Sequence, residues 1–186
     1  MSLPFTARFE PLPRWAKIAW TFFYVLVLYL AATSDDHYLF IDNANLVVHE
    51  AGHALFGWCG VLLGVWGGSL LQWLVPLALA AWFAWQRQAA GFIFSMFFFF
   101  ENLLYSSWYM ADARTMALDL VTIGDPEGAI HDWNFIFSHL GVLPLDTRIA
   151  AAVRLVAWVG MIASIGYLWA LRRVSESGAD AATSGS

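Results

Sequence analysis

Five stretches of this chain are apolar enough to cross a bilayer, and that limits its fold more than any other feature. A segment in hydrocarbon must satisfy its backbone N–H and C=O groups internally, which leaves helices or closed barrels. Trp15 to Thr33, Ser69 to Trp85, Gly91 to Ala111 and Ile149 to Leu171 have the length of membrane helices. Another helix begins near Asp42 or Asn43, either of which can cap it. It runs into Gly60, Gly64, Gly67 and Gly68. Glycines 60, 64 and 68 form a small-residue ladder for close helix packing, and Gly67-Gly68 is a break and turn signal.

Composition agrees with a membrane chain. The 186 residues are 60% hydrophobic and 12% charged, against about a quarter charged in an average soluble protein. Fifteen Phe, eleven Trp and six Tyr fit the aromatic enrichment of membrane interfaces. The expected fold class is all-α, a multi-pass integral membrane helix bundle. It has about five spans plus one short re-entrant or interfacial helix, residues 131–143, ended by Pro144. Residues 1–174 read as a single membrane-embedded domain, and 175–186 as a small, polar, disordered tail. The partner is the lipid bilayer, and the expected location is a bacterial inner membrane.

Other classes recede. The net charge of −5 comes from few charges, and no basic stripe suggests nucleic acid. The single Cys59 excludes an intrachain disulfide framework and reads as a small packing residue. Pro4, Pro11 and Pro13 before the first span, and Ala31-Ala-Thr-Ser-Asp after it, point to a retained span rather than a cleaved signal. Arg8, Arg14 and Lys17 favour a cytoplasmic N-terminus. Arg172-Arg173 agree with that only if the number of crossings is even, so orientation stays open at this point.

The chemistry gathers in Asn45-Leu-Val-Val-His49-Glu50-Ala-Gly-His53-Ala-Leu-Phe. On a helix, His49 and His53 project from one face about 40° apart, as two ligands of a tetrahedral zinc would. Glu50 lies on the flank of that face, placed to take a proton from a zinc-activated water. Leu46, Val47, Val48, Ala51, Ala54, Leu55 and Phe56 leave the motif no hydrated face, so its ionisable groups need a partner. Asn45, one turn before His49, is placed to polarise a carbonyl or orient the water.

A catalytic zinc takes a third protein ligand and keeps one position open. In Ile130-His131-Asp132-Trp133, His131 is the preferred third ligand, with Asp132 the alternative and otherwise a cap for the following helix. Glu101, deep in an apolar span, reads as a supporting group, either near the metal with Asp112 or bonded to a partner such as Gln72. Asp42, Asp119, Asp125 and His139 are weaker candidates.

An H-E-x-x-H with apolar flanks resembles the site-2 protease family of intramembrane zinc metalloproteases, over residues 45–57. The resemblance implies His49 and His53 as zinc ligands together with a later aspartate, and Glu50 as the group that activates water. The family's aspartate lies in a Leu-Asp-Gly motif, of which Leu118-Asp119-Leu120 is a partial echo. The expectation is therefore a zinc metallohydrolase cleaving a membrane-protein or peptide substrate. A hydrolase of a lipid amide or ester, and a non-enzymatic metal-binding or metal-transporting protein, are the rivals.

Overall fold

The computed structural model describes residues 9–35, 37–118 and 130–171. Helices α1 (Arg14–Thr33), α2 (Asp42–Phe56), α3 (Val61–Trp85), α4 (Ala89–Ala111), α5 (Asp132–His139) and α6 (Asp146–Ala170) build the fold. No β-strand occurs among the described residues. Asp119, Asp125 and the tail 175–186 lie outside them.

Among the described residues four helical segments, where about five spans are expected, are long and apolar enough to cross a membrane: α1, α3, α4, and α6 with its leading turn. The helix carrying the two histidines is not among them. Its 15 residues reach about 22 Å, short of a hydrocarbon core of about 30 Å. It stops because Gly57–Cys59 tighten into a 3-10 turn and Gly60 reverses the chain at φ +100°, a conformation suited to glycine. The break thus falls at Gly60, and Gly67-Gly68 lie inside α3.

Those inner glycines bring α2 and α3 together. A Cβ on Gly52 would lie 2.2 Å from the Gly67 carbonyl oxygen, and one on Gly67 would lie 2.6 Å from that of Gly52. Only bare backbone permits so close an approach, the role small residues have where lipid supplies no hydrophobic drive.

Two apolar clusters set the remaining positions. Tyr24, Val27, Phe97, Met161 and Leu168 join α1, α4 and α6. Trp133, Ile136 and Phe137 seat the short α5 against Val65, Met110 and Ala150. Lys17 Nζ donates to the Leu171 carbonyl at 2.6 Å, and Glu10 N donates to the Arg87 carbonyl at 3.0 Å. The start of α1, the α3–α4 turn and the end of α6 therefore meet at one end of the bundle. Chain order puts the α2–α3 turn, the end of α4 and the start of α6 at the other.

Candidate metal centre

His49 and His53 sit one turn apart on α2, their ring centroids 4.7 Å apart. Gly68 of α3 passes directly against both rings, because it has no side chain to hold them off. From α5 comes a third group. Asp132 Oδ2 lies 2.8 Å from His49 Nε2 and 3.1 Å from His53 Nε2. The opposite ring nitrogens are also fixed: His49 Nδ1 is 3.0 Å from Gln72 Oε1, and His53 Nδ1 is 2.8 Å from the Gly64 carbonyl oxygen.

The Gly64 carbonyl can only accept, so His53 Nδ1 carries the hydrogen. In a neutral ring Nε2 then presents a lone pair. That lone pair faces a carboxylate oxygen, and two acceptors at 3.1 Å need a positive charge between them. A proton serves in the absence of a cation. Burial opposes charging His53, but its bonds to Asp132 and Gly64 and the nearby Glu50 outweigh this and push its pKa up to about 9. Burial likewise disfavours ionised Asp132, and the two histidines outweigh it, holding the carboxyl below its usual range.

The donor set fits a divalent metal. Two imidazole nitrogens and one carboxylate oxygen converge, and each imidazole is backed by an oxygen that orients its ring. Gly68 gives a second test. A Cβ there would lie 2.6 Å from His53 Nε2 and 2.7 Å from His49 Nε2, so its absence keeps the space at the two nitrogens clear. Glu50 is half-buried, and its carboxylate lies within 4.8 Å of ligand atoms of both histidines.

His131 and Asp132 exchange the places expected of them. His131 is the N-cap of α5, its Nδ1 accepting from Asn134 N at 3.2 Å, and its Nε2 turns to Asp112 Oδ2 at 3.3 Å. The preferred third ligand therefore points away from the pair, and the alternative, Asp132, points into it. The reason is local: a residue beginning a helix and the one before it project in different directions, and α5 is pinned by Trp133 and Ile136.

Asp112 organises the chain after α4. Burial works against its charge, but bonds from Thr115, Leu118 N, Ala117 N and His131 prevail and hold its pKa low. Glu101 is buried, but not against Gln72. Asn45 Nδ2 donates to Glu101 Oε2 at 3.0 Å and to Asp42 Oδ1 at 2.9 Å. Asn45 is thus engaged with two carboxyl groups rather than turned toward the metal. His139 closes α5 and stacks on Phe135, away from the pair. Cys59 is exposed, not packed.

Sequence reasoning missed the Gly64 carbonyl, the Gly68 space and Tyr109, whose hydroxyl accepts from Asp132 N at 3.0 Å. Gln72, a lone amide in an apolar span, was a visible signal attached to the wrong partner. No protein-family model, no curated protein and no solved structure matches the chain.

Proposed function

We propose that this chain is a membrane-embedded zinc metallohydrolase that cleaves a peptide bond in or beside the bilayer. The observation that carries the reading is the convergence of His49 Nε2, His53 Nε2 and Asp132 Oδ2 with both Nδ1 atoms tied back to oxygens. Two histidines and a later aspartate are also the ligand types implied by the resemblance to site-2 proteases, but that family's aspartate lies in a Leu-Asp-Gly motif and Asp132 lies in His-Asp-Trp.

His49, His53 and Asp132 would hold the ion, which when bound supplies Lewis acidity and eases ionisation of water near neutral pH. Glu50 takes the proton from the attacking water as its oxygen bonds to the carbonyl carbon and the C=O π pair moves to oxygen. As that pair returns, the C–N bond breaks and Glu50 delivers the proton to the leaving nitrogen. Gln72 and the Gly64 carbonyl hold the imidazoles in orientation.

With four crossings, the number of helices long and apolar enough to span among the described residues, the first and last ends lie on one side and the two basic signals agree. Arg8, Arg14, Lys17, Arg87, Arg172 and Arg173 belong to that end by sequence position, leaving Arg114, Arg148 and Arg154 for the other. The basic end is cytoplasmic by the positive-inside rule, in a bacterial inner membrane. The metal centre, built from the α2–α3 hairpin and the start of α5, then lies toward the outer side.

The test is metal content and hydrolysis of a quenched fluorescent peptide library by the detergent-purified protein. The wild type is expected to hold about one zinc per chain and to cleave peptides; Glu50→Gln is expected to keep the zinc and lose cleavage. Absence of bound zinc, or a fully active Glu50→Gln, overturns the reading.

A further inference from the structure

A hydrolytic site needs a donor for the negative charge that grows on the carbonyl oxygen, and preorganised donors of this kind contribute strongly to rate. Asn45, the residue the sequence offers for this, has its amide nitrogen committed to Asp42 and Glu101. Gln72 Nε2 is a buried amide with no partner, but Gln72 stands behind His49 on the Nδ1 side, away from the convergence at Nε2. Arg154, a third donor, lies over the Trp108 ring, 3.3 Å from its centroid, and bonds Ser107.

Tyr109 differs from all three. It projects from the last turns of α4, and its hydroxyl oxygen accepts the N–H of Asp132, the residue whose Oδ2 meets both histidines. Its ring stands 6.3 Å from that of His49 and 4.4 Å from that of His131. With the oxygen occupied as an acceptor, the hydroxyl hydrogen is left as a donor. Among the described residues no acceptor is bonded to it.

We infer that Tyr109 is a catalytic residue of this site, its O–H donating to the carbonyl oxygen of the substrate as that oxygen becomes an alkoxide. The inference rests on the hydrolase reading above. The Asp132 N–H holds the hydroxyl oxygen beside the residue whose carboxylate meets both histidines, and leaves the hydroxyl hydrogen free to turn to a substrate carbonyl. No bond to Tyr109 forms or breaks: water adds to the carbonyl carbon, Glu50 holds the proton, and Tyr109 only shares its hydrogen with the new oxyanion.

The experiment compares wild type with Tyr109→Phe on three readouts: zinc per chain, kcat and KM on the fluorescent peptides, and affinity for a peptide phosphinate, whose tetrahedral oxygens mimic the adduct. Full zinc content, KM within about twofold, kcat lowered roughly 100-fold and phosphinate binding weakened at least tenfold are expected. Equal phosphinate affinity at full zinc overturns the Tyr109 assignment alone. Zinc loss in Tyr109→Phe overturns it too, since the hydroxyl would then act on the metal site by positioning Asp132. A wild type without zinc sinks the hydrolase reading and this inference together.

Discussion

Asp132 Oδ2 and His53 Nε2 face each other at 3.1 Å while Gly64 takes the only hydrogen a neutral His53 carries. This contact, closed by a proton on His53 or by a metal in its place, is why Asp132, rather than its neighbour His131, is the third ligand we propose. Asp132→Ala should therefore strip zinc as thoroughly as His49→Ala or His53→Ala. His131→Ala should keep its zinc, since His131 bonds Asp112 and Asn134 N and does not face the pair. Zinc titration of the four purified variants checks the order. Strong binding by Asp132→Ala with none by His131→Ala would reverse the assignment.

Gly68→Ala should weaken metal binding. The added carbon would fall 2.6 Å and 2.7 Å from the two Nε2 atoms, on a helix pinned to α2 by the Gly52–Gly67 contact. Neither backbone can withdraw freely, so the rings must rotate off their Gln72 and Gly64 anchors. Overpacking costs about 1–3 kcal/mol, and here it is taken largely from metal affinity, by at least about tenfold. Gly166→Ala, where an added Cβ meets nothing within 4 Å, is the control. Equal zinc binding by the two variants would show that the Gly68 space is unimportant to the metal.

Much of this was legible from residue order, and the parts that were not share a cause. Apolar runs with polar turns mark α1, α3, α4 and α6 because lipid demands unbroken helices. The i, i+4 histidines and the flanking Glu50 follow from helical pitch alone. What a helical repeat cannot carry is where a distant segment lands. Asp132 reaches His49 across 83 positions, and whether it or His131 turns inward depends on how Trp133 and Ile136 pack. The end of α2 was equally hidden. Four glycines compete to break the helix, and Gly67-Gly68 lose because their bare backbone is used for packing against Gly52.

Asn45→Ala should lower stability while leaving the metal ligands in place. Asn45 Nδ2 is the donor that lies between Asp42 and Glu101, and all three residues are almost fully buried, at 1%, 1% and 2% exposure. Removing it takes one hydrogen bond from each of two buried carboxyl groups, at about 1–3 kcal/mol, while Asp42 keeps the bond from Leu39 N. Glu101→Gln should be milder, since an amide still offers an oxygen to Asn45. Thermal unfolding in detergent should rank wild type, Glu101→Gln and Asn45→Ala in falling order. Glu101→Gln should retain its zinc, and its loss there would move Glu101 from support to ligation.

The single cysteine tests the orientation. Cys59 is exposed in the α2–α3 turn, beside Trp58, which is 93% exposed and suited to a membrane interface. Arg87 ends the turn at the far side of α3, where its carbonyl accepts from Glu10 N. If the basic end is cytoplasmic, a membrane-impermeant maleimide added to spheroplasts should label Cys59 without permeabilisation. A Cys59→Ser, Gln88→Cys protein should label only after it. The reverse pattern would turn the molecule over and put the metal centre toward the cytoplasm. Labelling of both sites from outside would mean that α3, the helix between them, does not cross the membrane.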